Sequence, residues 1–173
     1  MKTFKSLLAL LMLTGLFSMN AFAQDKFSVP ELTEQQKQEV LYNHVISYAA
    51  SGISYAKSLG KSPEEYGRYV GGLFTPFWDP AAGLQGFAGQ IMYLMAGIHP
   101  ANEMNIVAQD ENSIKVRMKN VDMPFMQGPM LGVSYDEYLE FSYGLLVVLA
   151  DFMKLDFNHA MVDGWYEFSI VSR

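Results

Sequence analysis

The sequence predicts an α+β fold: about four helices packed on a roughly four-stranded antiparallel sheet made of two hairpins. Three observations predict it. Four stretches carry apolar residues at helical spacing, each opened by a capping residue. Shorter stretches between and after them alternate apolar with polar residues, the period of a strand. Asp163-Gly164 near the end is a strong two-residue hairpin turn. A hydrophobic content of 50%, with 14% aromatic, suits a packed core and argues against disorder.

Taken in order, residues 1–23 read as a secretory leader that is removed. Lys2 and Lys5 make its positive start, Leu7 to Phe17 its apolar stretch, and Ala21-Phe22-Ala23 its cleavage site. The apolar stretch is short for a membrane span. Gln24 is then the mature N-terminus, and residues 24–173 form a single α+β domain in a bacterial periplasm or secreted. The chain has no cysteine, so disulfides, thiolate metal sites and a lipid-anchored cysteine are excluded. The formal charge is −6, and losing Lys2 and Lys5 makes it more negative. That argues against nucleic acid or anionic lipid as the main partner.

Residues 24–32 are a polar lead-in. Thr33 with Gln36 is a capping box that opens helix one, over roughly 33–59. Its expected inner stripe is Leu41, Val45, Tyr48, Ala49, Gly52, Ile53, Ala56 and Leu59. Gly60 stops it. Ser62, Pro63 and Glu65 open helix two, which ends before Pro76. Asp79-Pro80 repeats that start, and helix three runs from about Pro80 to Ile98, stopped by His99-Pro100. Met104 to Gln109 and Ser113 to Lys119 are strands joined by an Asp110-Glu111-Asn112 loop. Residues 120–133 form a loop rich in Pro and Gly. Ser134 with Glu137 is a further capping box, opening a strongly apolar, central helix to about Leu155. In the final hairpin Val162 faces Trp165, Met161 faces Tyr166 and His159 faces Phe168. Tyr166, Phe168 and Ile170 then point one way, and Trp165, Glu167, Ser169 and Val171 the other.

The run Phe141-Ser142-Tyr143-Gly144-Leu145-Leu146, followed by Asp163-Gly164-Trp165-Tyr166-Glu167-Phe168-Ser169-Ile170, resembles one superfamily. It comprises the 4-vinyl reductase domains, the haem nitric-oxide-binding domains and the small TRAPP tethering subunits. There a long apolar helix with an internal glycine precedes a closing strand pair. The likeness covers about half the mature chain and has no invariant motif. It implies a buried pocket for a small apolar or aromatic molecule, or an acyl chain. The family's cysteines are absent here, which puts their metal or thiol chemistry in doubt.

Several residue groups invite a function. Gly83, Gly86 and Gly89 fall three apart in helix three, with Gly97 following. Interior helix glycines cost about 1 kcal/mol each, so they imply either close helix contact or room for a ligand. Phe74, Phe77, Trp78 and Phe87 form either a local core around two prolines or an aromatic mouth to a pocket. Tyr42, Tyr48, Tyr55, Tyr66, Tyr69 and Tyr93 add hydroxyls on the same helices. Met118, Met123, Met126 and Met130 are soft donors that could select Cu(I), or else flexible fillers and an apolar lid. His44, His99 and His159 are too far apart for a local metal motif, and haem ligation by one of them lacks a supporting signature. No nucleophile elbow occurs, and the paired acids sit at helix starts or a turn. Glu167 and His159 on facing strands are a conceivable carboxylate–histidine pair.

The function expected from these residues is non-catalytic: an exported protein holding a small apolar or aromatic ligand, or an acyl chain. The pocket is expected between helices two to four and the sheet, lined by Tyr69, Phe74, Trp78, Gly86, Tyr93, Phe141 and Leu145. One alternative is a Cu(I) protein using Met123, Met126 and Met130. Another is an interaction module, with a homodimer among its possible forms. The residues specify no cofactor, no nucleic-acid partner and no stable membrane insertion.

Overall fold

The computed structural model describes residues 31–98 and 101–173, of which Glu34–Arg173 form one compact unit. The expected leader and the His99-Pro100 stop lie outside the described residues. Helix α1 spans Glu34–Ser58, α2 Pro63–Phe74, α3 Gly83–Ile98 and α4 Tyr135–Phe152. Strand β1 spans Glu103–Gln109, β2 Ser113–Lys119, β3 Leu155–Val162 and β4 Trp165–Ser172. Short 3-10 turns at Thr75–Phe77 and Pro80–Ala82 link α2 to α3, and another covers Met123–Phe125. The four-helix, four-strand α+β prediction holds.

The sheet is antiparallel throughout, in the order β1-β2-β4-β3. Asp163 and Gly164 both take positive φ, as the tight turn between β3 and β4 requires. The register follows: Val162 faces Trp165, Met161 faces Tyr166 and His159 faces Phe168. Alternation divides the faces. Ile114, Val116 and Met118 of β2, with Tyr166, Phe168 and Ile170 of β4, are buried. Against them pack Leu84, Phe87, Ala88 and Ile91 of α3 and Leu146, Leu149 and Ala150 of α4.

Helix α2 lies on the far side of α4, and glycines set the spacing. A side chain on Gly67 would strike the Phe141 carbonyl, one on Gly144 the Glu64 carbonyl, and one on Gly71 would lie 2.7 Å from the Leu145 carbonyl oxygen. The two backbones touch, so only residues without a Cβ fit. Both Ser62/Glu65 and Ser134/Glu137 close their predicted capping boxes. Lys57 pairs with Glu137 and donates to the Gly132 carbonyl at 3.0 Å, tying the end of α1 to the start of α4.

Three expectations are corrected. Helix α1 buries Tyr42, Ile46, Ala50, Ile53 and Ala56, while Leu41, Val45, Tyr48 and Leu59 are exposed. It carries two apolar stripes. The one carrying Ala50 and Ile53 packs on Val133 and Phe141 and takes the core. Helix α4 stops at Phe152, and Leu155 instead begins β3, because Lys154 turns the chain at φ 60°. In α3, Gly89 has open space where a Cβ would stand, and a Cβ on Gly86 would meet only its neighbour Ala82. Those two mark neither helix contact nor a lined void. The close-packing glycines are in α2 and α4.

Candidate functional site

The capping box at Ser134 fixes where α4 begins, and hence where its side chains point. Tyr135, Tyr138, Leu139 and Ser142 follow at helical spacing and share one face. Tyr42 and Ile46, one turn apart on α1, lie opposite. Met95 of α3, Asn102, Val121 and Tyr166 of β4 complete the wall. Together they line a cavity of about 50 Å³. Phe125 backs it, with ring centres 5.8 Å from Tyr135 and 5.4 Å from Tyr138.

Polar atoms here are short of partners. The Asn102 side-chain amide donates to the Met95 carbonyl at 3.0 Å, which leaves its oxygen unpaired. The hydroxyls of Tyr135 and Tyr166 are also buried without a hydrogen-bond partner in the protein. An unmet buried polar group costs about 1–3 kcal/mol. Of four such atoms among the described residues, three belong to this lining; the fourth is Nδ1 of His159.

The cavity is uncharged. None of its lining residues is His, Asp, Glu, Lys or Arg. Burial pushes the hydroxyls of Tyr42, Tyr135, Tyr138 and Tyr166 above the ordinary tyrosine value, with Asp122 adding to the effect at Tyr42 and Tyr135. All four stay protonated and able to donate. Ser142 spends its hydroxyl on the Tyr138 carbonyl at 2.9 Å and has no base in the wall. The arrangement can bind by hydrogen bonds and shape, and it contains no acid–base pair.

The residues expected to line a pocket are dispersed. Tyr69, Phe74 and Tyr93 are exposed. Trp78 is half-buried against Phe87, ring centres 5.1 Å apart. Gly86 is on the surface of α3. Phe141 is buried and stacks on Tyr66 at 5.4 Å, while half-buried Leu145 lies between two core clusters. None of the seven lines this cavity, which lies towards α1, where α4 meets β4.

The methionines part company too. Met118 is buried under the sheet, Met126 is 73% exposed, and Met123 is at the surface. Half-buried Met130 accepts a hydrogen bond from Ser47 at 3.7 Å. His44 is exposed beside Tyr48, and His159 stacks on Tyr143 at 4.8 Å. Glu167 is on the opposite sheet face from His159 and pairs with Lys115, so the conceivable carboxylate–histidine pair does not form. Among the described residues, no group of three or more His, Asp or Glu side chains could hold a metal. No helix among them is long and apolar enough to cross a membrane.

No family model matches the chain, and no curated protein matches it. Among solved structures, it is similar to an Fe(II) unliganded H-NOX protein mutant from K. algicida. The identity is 11%, over 86% of this chain and 78% of that one, with a TM-score of 0.36. That correspondence is too loose to assign fold or function.

Proposed function

We propose that this protein binds a small, neutral, hydrogen-bonding molecule in the tyrosine-lined cavity, and that it does so as an exported, non-catalytic binder. One observation carries the reading: three unpartnered buried polar atoms, on Asn102, Tyr135 and Tyr166, belong to residues that line a single cavity. Two phenols donate and one amide oxygen accepts. The matching ligand has an acceptor, a donor and no charge, as in a small amide or alcohol.

Size narrows the class. An engineered cavity that holds benzene measures about 150 Å³. The space here is about 50 Å³. A molecule of a few non-hydrogen atoms fits it, whereas an aromatic ring or acyl chain needs the wall to move. The small apolar or aromatic ligand implied by the superfamily resemblance therefore gives way to a smaller, more polar one. Export rests on the leader-like residues 1–23.

The test uses acetamide, urea and 1-propanol as probes, with the protein followed by NMR. Saturable shifts at Tyr135, Tyr166 and Asn102 are expected, and they disappear in the double variant Tyr135→Phe/Tyr166→Phe. No saturable shift with any probe, together with ordered water alone in the cavity of a high-resolution crystal structure, refutes the reading.

A further inference from the structure

Helix α1 has a second apolar stripe whose large side chains stand exposed among the described residues, with only Gly52 covered, by Tyr66. Leu41, Val45, Tyr48, Gly52, Tyr55 and Leu59 alternate at spacings of four and three, the pattern of a helix-pairing seam. Leu41 is 67% exposed, Tyr48 75% and Tyr55 66%. Towards the end of α1 the stripe becomes one wall of a groove of about 460 Å³. Tyr55, Ala56 and Leu59 stand on one side and Tyr66 and Tyr69 of α2 on the other, and Lys61, Glu65 and Arg68 also line it. Towards the start of α1 it is a ridge of Leu41, Val45 and Tyr48.

We infer that this face pairs with the same face of a second copy, α1 against α1, antiparallel about a two-fold axis. The seam is its own complement. Reversed about its midpoint, it sets Leu41 opposite Leu59, Val45 opposite Tyr55 and Tyr48 opposite Gly52. The ridge of each copy enters the groove of the other, which is the reciprocity a two-fold interface demands. At the centre Tyr48 meets Gly52, where the Tyr66 hydroxyl of the same copy already takes the place of a side chain, so Tyr48 packs on Tyr66. The same reversal brings Glu39 of one copy near the level of Lys61 of the other, which already pairs with Glu65 at 3.1 Å, so charge does not oppose the pairing.

Area agrees as well. Leu41, Val45, Tyr48, Tyr55, Leu59 and Tyr69 together leave on the order of 700 Å² uncovered. Two copies would bury roughly 1,400 Å², inside the 1,200–2,000 Å² range of stable interfaces. This inference does not rest on the cavity, which lies on the other side of α1 among Tyr42 and Ile46.

The absence of cysteine makes the test direct. The full chain, carrying its own leader and purified as the exported product, is expected to sediment as a dimer at tens of micromolar. Tyr48→Glu and, separately, Leu41→Glu are expected to weaken dimerisation about a hundredfold without altering the circular dichroism spectrum. Leu41→Cys mixed with Leu59→Cys should form an intermolecular disulfide on oxidation. Leu41→Cys alone should not, because its two copies would stand about 27 Å apart along the axis. A monomer at 100 µM overturns the inference. So does a dimer untouched by both charge variants, or a Leu41→Cys self-crosslink, which signals parallel pairing. A monomer that binds phosphatidylcholine–phosphatidylglycerol vesicles through this face also overturns it, in favour of a lipid surface.

Discussion

Tyr166 is 3% exposed, its hydroxyl has no partner, and its ring forms part of the inner face of the sheet. Removing that hydroxyl separates stability from binding. Without ligand, Tyr166→Phe relieves an unmet polar group, so stability should hold or rise by up to about 1 kcal/mol. With ligand, it deletes a donor, and affinity for the acetamide probe should fall about tenfold. Thermal denaturation and an NMR titration on the same sample check both signs. A purely structural tyrosine would change neither in that pattern. Because burial holds the four phenols protonated and His159 beside Tyr166 is neutral above 6.5, probe affinity should also stay flat from about pH 7 to 9, as a titration at several pH values would show. The neighbouring Phe168, 1% exposed, is a contrast: Phe168→Ala should cost about 3–5 kcal/mol, because its ring only fills space.

At the scale of elements, the α2–α4 contact is the tightest constraint. Gly144→Ala puts a methyl group against the Glu64 carbonyl, and backbone cannot move aside as a side chain can. A loss of about 3 kcal/mol is expected in chemical denaturation, against a gain of up to about 1 kcal/mol for Gly89→Ala, which lies inside a helix with open space beside it. Much at this scale was legible in the sequence. The Ser62 and Ser134 boxes mark two helix starts, and Asp163-Gly164 sets the register of the last hairpin. Those signals are local, and local chemistry decides them. The choice between the two stripes of α1 was not legible. Both have helical period, and the residues that meet one of them from elsewhere in the chain, Phe125, Val133 and Phe141, decide between them. The same ambiguity hid the cavity. Its α4 wall follows from helical spacing after Ser134 and Tyr166 from strand alternation, but Asn102 carries no signal at all. Which helix faces which is a property of packing, so the aromatic residues on α2 and α3 drew the expected pocket away from the tyrosine-lined cavity.

For the whole molecule, the absence of cysteine leaves packing and paired charges to hold the fold, and acid tests each in its own range. His159 is half-buried between sheet and α4, stacked on Tyr143 and beside Tyr166, with its Nδ1 unpartnered. Burial lowers its affinity for a proton below the ordinary value of 6.5. The unfolded chain therefore takes up this proton first, and stability falls as the pH drops below 6.5, levelling off once the folded protein also binds it. Glu137 acts lower. The hydrogen bond from Lys57 and that from the Ser134 backbone hold its carboxyl below 4.5. Its stabilisation is full above 4.5 and is lost as acid neutralises it. Acid denaturation should thus begin with a shallow loss, below about 1 kcal/mol, just under pH 6.5, and steepen below 4.5. His159→Phe should erase the first step and keep the second. Glu137→Gln, which keeps the cap but not the charge, should shrink only the second. Urea midpoints measured from pH 8 down to pH 3 in the three proteins decide it. A first step that survives His159→Phe would place the proton elsewhere and leave the stacked imidazole as filling alone.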